Sequence, residues 1–98
     1  MEELEHPDRA GLRIEAVLAA LDHPVRLRVV RTLADGEELT CRQILPEMTK
    51  SSASHHWRVL RENGIVEQRK QGRNLYMRLR RADLDARFPG MLDAVIDG

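Results

Sequence analysis

Between Lys50 and Arg58 the chain packs Lys50, Ser51, Ser52, Ser54, His55 and Arg58 into nine residues, with no carboxylate and no bulky aliphatic side chain among them. Hydroxyl, imidazole, ammonium and guanidinium groups donate hydrogen bonds to phosphate oxygens and to base edges, and a carboxylate in the same place would repel a polyanion. Arg61 continues the set on the carboxyl side, and a second basic group, Arg69, Lys70 and Arg73, follows about one element later. The chemistry these residues offer is recognition of an anionic, hydrogen-bonding surface. An ordinary solvated helix face has a similar composition, so the elements around them must decide.

Thr49–Gly64 has helical period. At about 100° per residue, Ala53, Trp57 and Leu60 fall on one stripe with His56 at its edge, while Ser51, His55, Arg58 and Glu62 fall opposite and Ser54 flanks them. Thr49 is the natural N-cap and Gly64 the natural residue after the end. Arg61 turns closer to the apolar stripe than Arg58 does. Upstream, Thr40-Cys41-Arg42-Gln43 fits a capping box, with Cys41, Ile44, Leu45 and Met48 on one face. Pro46 must end or kink that helix, which leaves a connection of only three or four residues. Two helices so joined, the second polar, form a helix-turn-helix over 40–63.

After Gly64 the period changes from 3.6 to 2. A strand runs from Ile65-Val66 to about Lys70, Gln71-Gly72-Arg73-Asn74 is a turn, and Leu75, Met77 and Leu79 alternate with Tyr76, Arg78 and Arg80. This is a hairpin over 65–80 with Arg69, Lys70 and Arg73 near its tip. A helix-turn-helix followed by a basic hairpin is a winged helix-turn-helix, so the expected fold is mainly α with a small β-hairpin in one domain, 1–98. Residues 1–10 are acidic and aperiodic and are expected to be a flexible arm. Leu12–Leu21 is a helix, with Ile14, Val17, Leu18 and Leu21 on one face; Asp22-His23-Pro24 starts another over Val25–Ala34, with Leu27, Val30 and Leu33 or Ala34 inward and Arg26, Arg28 and Arg31 outward. Glu38-Leu39 reads as a short edge strand. The segment 83–97 divides into a turn at 83–87 and a helix from about Pro89, with Leu84, Phe88, Met91, Leu92, Val95 and Ile96 apolar. Apolar segments at both ends exceed what one small domain needs, which points to a C2 homodimer through Ile14, Val17, Leu18, Leu21, Phe88, Met91, Leu92 and Val95.

Formal net charge is zero, with 16 basic and 16 acidic side chains among 98 residues. The distribution is uneven: residues 41–81 hold 10 basic and 3 acidic side chains, while 1–40 hold 5 and 9. A basic middle suits a polyanion despite the neutral total. A single cysteine, Cys41, excludes an intrachain disulfide and any CxxC zinc site. No apolar run approaches a membrane span, and Met1 is followed by acidic residues rather than a signal sequence, so the expected location is cytoplasmic.

Three stretches, LDHPVRLRVVRTL (21–33), SSASHHWRVLRENGIV (51–66) and QGRNLYMRL (71–79), resemble the ArsR/SmtB family of bacterial winged-helix repressors, over about Ala19–Leu79. The resemblance implies a homodimer built from the first and last helices, a recognition helix in the major groove of double-stranded DNA, and repression relieved by an inducer. The family's thiolate motif, E-L-C-x-C-D-L, reads here Glu38-Leu39-Thr40-Cys41-Arg42-Gln43-Ile44. Thr40 and Arg42 stand at the two cysteine positions, and one misplaced sulfur cannot build a site that needs two or three thiolates. The family's carboxyl-terminal D-x-H site reads Asp83-Leu84-Asp85, with no histidine after His56. No metal and no cofactor is therefore expected, and the inducer is unknown.

Adjacent His55 and His56 point about 100° apart and cannot easily chelate one ion. His55 is assigned to DNA, His56 to partial burial, Trp57 to the core, and Cys41 to a small hydrophobe, with thiol oxidation as its alternative. Glu2, Glu3, Glu5, His6 and Asp8 form an acidic arm, solvated or metal-binding. No GxGxxG, P-loop, HExxH or nucleophile–base pair is present, so no catalytic residue is expected. A second function class stays open, a winged-helix module that binds an acidic protein partner.

Overall fold

A computed structural model describes residues 4–98 of the chain. After a 3-10 turn at Arg9–Gly11 come α1 (Ile14–Leu21), α2 (Pro24–Thr32), β1 (Leu39–Thr40), α3 (Cys41–Ile44), α4 (Lys50–Glu62), β2 (Val66–Gln71), β3 (Asn74–Leu79), α5 (Arg81–Arg87) and α6 (Met91–Asp97). The sheet is antiparallel with order β1–β3–β2. This is a winged helix-turn-helix. No described helix is long and apolar enough to cross a membrane.

One core joins every layer. Val17, Ala20 and Leu21 from α1, Val29 and Val30 from α2, Ile44 and Leu45, the Ala53–Trp57–Leu60 stripe of α4, Val66, Met77 and Leu79 from the sheet, and Leu84 and Leu92 are all buried. Val29, absent from the expected inner face of its helix, is among them.

Local chemistry sets the helix ends. His23 caps α2 by accepting from Val25 N at 3.1 Å, with Pro24 in the first turn. The capping box of α3 forms in full: Thr40 Oγ1 accepts from Gln43 N, and the Gln43 side chain accepts from Thr40 N at 2.8 Å. That helix ends at Ile44, because Leu45 precedes Pro46 and is pushed out of helical backbone. The hairpin loop is two residues long, with Gly72 at φ +62° in its first position, as a type II′ turn requires.

Three expectations are corrected. The arm over residues 1–10 is not free along its described part, residues 4–10 (Glu2 and Glu3 lie outside the described residues). His6 Nε2 accepts from Gln68 N at 3.0 Å, and Pro7 O accepts from Arg80 Nη1 at 2.7 Å. Arg9 pairs with Asp83, and Arg87 donates to Ala10 O and Leu12 O. The acidic segment is tied down by arginines from distant positions, which its own composition does not reveal. Second, 83–87 is not a turn: α5 starts at Arg81 and fills two turns, held by Arg81–Asp85. The last helix then begins at Met91, since Pro89 and left-handed Gly90 occupy the break. Third, Arg26 does not point outward. Its Nε donates to Ala20 O at the end of α1, and Nη1 lies 3.1 Å from His56 Nδ1.

Candidate nucleic-acid interface

Helix α4 stands on its apolar stripe and presents its polar side outward. Thr49 Oγ1 accepts from Ser52 N at 3.3 Å, and the far end closes with Gly64 N on Arg61 O and Ile65 N on Leu60 O, a Schellman ending with Gly64 at φ +74°. Lys50, Ser51, Ser52, Ser54, His55 and Arg58 are all exposed. Ser54 Oγ donates to Lys50 O at 2.9 Å, so its hydroxyl proton is used within the helix and the exposed oxygen keeps its capacity to accept, suited to a base amine.

Contacts beneath the helix fix its orientation. Trp57, only 4% exposed, donates from Nε1 to the Cys41 sulfur at 2.9 Å, joining the two helices of the helix-turn-helix. His56 sits half-buried with the His23 ring 4.7 Å away and Arg26 at its Nδ1. Arginine only donates, so that nitrogen accepts and the imidazole is neutral there. Burial pushes the His56 pKa below the ordinary histidine value, and neighbouring His23, Arg26 and His55 push the same way.

The structure sorts nine of the ten basic side chains of 41–81 into two groups, Arg61 standing apart. Arg69, Arg78, Arg80 and Arg81 are ion-paired with Glu38, Glu67, Asp83, and Asp85 and Asp93 respectively. Arg42, Lys50, Arg58, Lys70 and Arg73 are exposed and have no ion pair or side-chain hydrogen bond among the described residues. Four of these five lie on α4 or at the hairpin tip. Arg42, on the first helix of the pair, was not singled out as a contact from sequence. Its signal was its place in the capping box, one residue inside a helix whose other face is apolar. The pairs of Arg69 with Glu38, Arg80 with Asp83, and Arg81 with Asp85 and Asp93 thus join the basic middle of the chain to the acidic segments on either side of it.

Two expected contact residues are engaged elsewhere. Arg61 turns beneath the helix, where Nη1 donates to Gln68 Oε1 at 2.8 Å and Nε is buried without a partner. This explains a glutamine side chain on the inner side of β2 at 6% exposure. Arg69 is held by Glu38 through Nε at 3.0 Å and Nη2 at 2.6 Å. That pair holds the Glu38 carboxyl below its usual range.

The residues expected at a dimer contact also divide. Val17, Leu21 and Leu92 are buried inside this chain and have no surface to offer. Phe88, Met91 and Val95 are half-buried against the same core, whereas Ile14 and Leu18 are exposed by 38% and 50%. Among the described residues, no group of three or more His, Cys, Asp or Glu side chains is placed to hold a metal ion.

The comparisons fit this geometry. A family model described as a helix-turn-helix domain matches residues 21–69, from the end of α1 into β2. The chain is 34% identical over 82 residues to the HTH-type transcriptional regulator YceK of Bacillus subtilis, covering 81% of this chain and 82% of that protein. It is 37% identical over 62 residues to a transcriptional repressor SmtB homolog of Synechocystis, covering 62% and 47%. Among solved structures, the transcriptional repressor BigR from Xylella fastidiosa superposes with a TM-score of 0.68 at 30% identity, covering 86% of this chain and 83% of that one.

Proposed function

This chain belongs to the ArsR/SmtB family of helix-turn-helix transcriptional regulators, and on that premise we propose that it acts as a homodimeric repressor binding an imperfect palindrome in cytoplasmic DNA. It is a transcriptional regulator and not an enzyme. The observation that carries the proposal is the sorting of charge within residues 41–81: among the described residues, four of the five exposed cations there with neither an ion pair nor a side-chain hydrogen bond lie on α4 or at the hairpin tip.

In this reading Lys50, Ser51, Ser52, Ser54 and His55 meet base edges and phosphates from the first turns of α4, and Arg58 contacts phosphate. Arg42 does the same from α3, which crosses the backbone in this motif. Lys70 and Arg73 reach the backbone or minor groove from the hairpin tip. The partner surface is the exposed Ile14–Leu18 ridge with the half-buried Phe88, Met91 and Val95. Two recognition helices in a C2 dimer read half-sites about 34–36 Å apart, one helical turn. The usual thiolate and carboxyl-terminal metal ligand sets are missing from the sequence, so relief of repression is assigned to a signal other than metal binding at those two sites.

Binding-site selection with purified protein tests the proposal. A palindromic consensus is expected, and Ser54→Ala and His55→Ala are expected to change base preference within it. Failure to enrich any consensus, together with a stable complex with an acidic protein, would replace DNA recognition with the protein-interaction function.

A further inference from the structure

The outer face of the sheet pairs its charges one by one. Glu67 and Arg78 are cross-strand neighbours and form an ion pair. One step towards the tip, Arg69 of β2 lies opposite Tyr76 of β3, which in turn lies opposite Thr40 of β1. The Arg69 guanidinium stacks 5.0 Å from the Tyr76 ring centre and reaches across β3 to Glu38, the residue entering β1. All three of its nitrogens are occupied: Nε and Nη2 by the two Glu38 oxygens, and Nη1 by Gln71 Oε1 at 2.5 Å.

We propose that Arg69 is a positioning residue that Glu38 and Tyr76 hold off DNA, and that it fixes the wing to the segment entering the helix-turn-helix. The inference rests on the DNA-binding function above. An arginine whose charge is balanced by a forked carboxylate, and each of whose three nitrogens already donates one hydrogen bond, brings no net charge to a phosphate and displaces no counterion. Geometry gives the fork a different task. Thr40, two residues after Glu38, is the N-cap of α3, so the fork ties β2 across β3 to the start of the motif's first helix. The wing tip and α4 then approach a duplex in one fixed register. Phosphate contact from the sheet is confined to Lys70 and Arg73 at the tip.

The test compares the salt dependence of binding to the selected duplex for the wild type, Arg73→Ala, Arg69→Ala, Glu38→Gln and the double variant Glu38→Gln/Arg69→Ala. Arg73→Ala is expected to make the log–log slope shallower by roughly 0.9, one phosphate contact. Arg69→Ala is expected to leave the slope as in the wild type. Glu38→Gln frees the guanidinium and is expected to steepen the slope by up to about 0.9, a gain that disappears in the double variant. A second readout needs no DNA: amide exchange of the β1–β3 ladder should quicken in Arg69→Ala and Arg69→Lys, since lysine cannot fork, but not in Arg73→Ala. A slope loss in Arg69→Ala equal to that of Arg73→Ala would overturn the proposal. So would a Glu38→Gln gain that survives removal of Arg69, or unchanged exchange in Arg69→Ala. If no variant shows salt-dependent binding, the DNA-binding function fails and the exchange data alone decide the fastening role.

Discussion

Gly64→Ala probes the junction between the recognition helix and the amino-terminal segment, and its cost can be assembled from the structure. Gly64 sits at φ +74°, where a side chain costs about 1–2 kcal/mol. A Cβ built there would lie 2.0 Å from Leu12 Cδ2, 3.3 Å from Leu12 Cγ and 3.4 Å from Pro7 Cγ. Leu12 is 2% exposed and has little room to retreat, so overpacking adds about 1–3 kcal/mol. Gly72 is the matched control: its φ is +62° and nothing lies within 4 Å of its Cβ position. Gly72→Ala should therefore cost only the backbone part, about 1–2 kcal/mol, against about 2–5 kcal/mol for Gly64→Ala. The gain from a stiffer unfolded chain, about 0.4–1 kcal/mol, is common to both and cancels in the comparison. Urea unfolding followed by the fluorescence of buried Trp57 measures both variants. In a Leu12→Ala background the Gly64→Ala cost should fall to that of Gly72→Ala. Equal costs for the two alanine variants in the native background would refute the packing of Leu12 and Pro7 onto the end of α4.

Three further outcomes are expected. Arg73→Ala should weaken binding to all duplex sequences alike, as a free tip cation on phosphate would; a large loss confined to particular sequences in a competition assay would mean that the wing reads bases. Acidification should destabilise the fold through His56: its folded pKa lies below the unfolded value, so the native state binds fewer protons, and stability is full above the ordinary histidine range and is lost as pH falls through it towards the folded value. His56→Gln should flatten the pH dependence of the urea midpoint between about pH 7 and 5; an unchanged profile would contradict a neutral, Arg26-bound His56. Leu18→Glu, on a half-exposed helix face, should leave secondary structure intact while shifting sedimentation from dimer towards monomer, and a variant that stays dimeric would remove α1 from the proposed contact.

Features that depend on neighbours in sequence were legible without the fold. The Thr40 capping box, the Thr49 cap, the Gly64 ending, the buried Ala53–Trp57–Leu60 stripe and the Gly72 turn all follow from side chains within four residues of one another, where helix and hairpin geometry leaves few alternatives. The exposure of Lys50, Ser51, Ser52, Ser54, His55 and Arg58 followed from the same periodicity. What tertiary structure decided was the partner of each long, charged side chain. An arginine reaches far enough to choose among many acceptors, and its choice depends on elements distant in sequence: Glu38 for Arg69, Gln68 for Arg61, Ala20 and His56 for Arg26, and the amino-terminal backbone for Arg80 and Arg87. These pairings fasten the amino-terminal segment from His6 onward and give Arg61 and Arg69, two expected contact residues, partners within the chain. Apolar periodicity shows which face of a helix is buried but not what covers it, and so it could not separate Val17, Leu21 and Leu92, buried within the chain, from Ile14 and Leu18, which remain exposed.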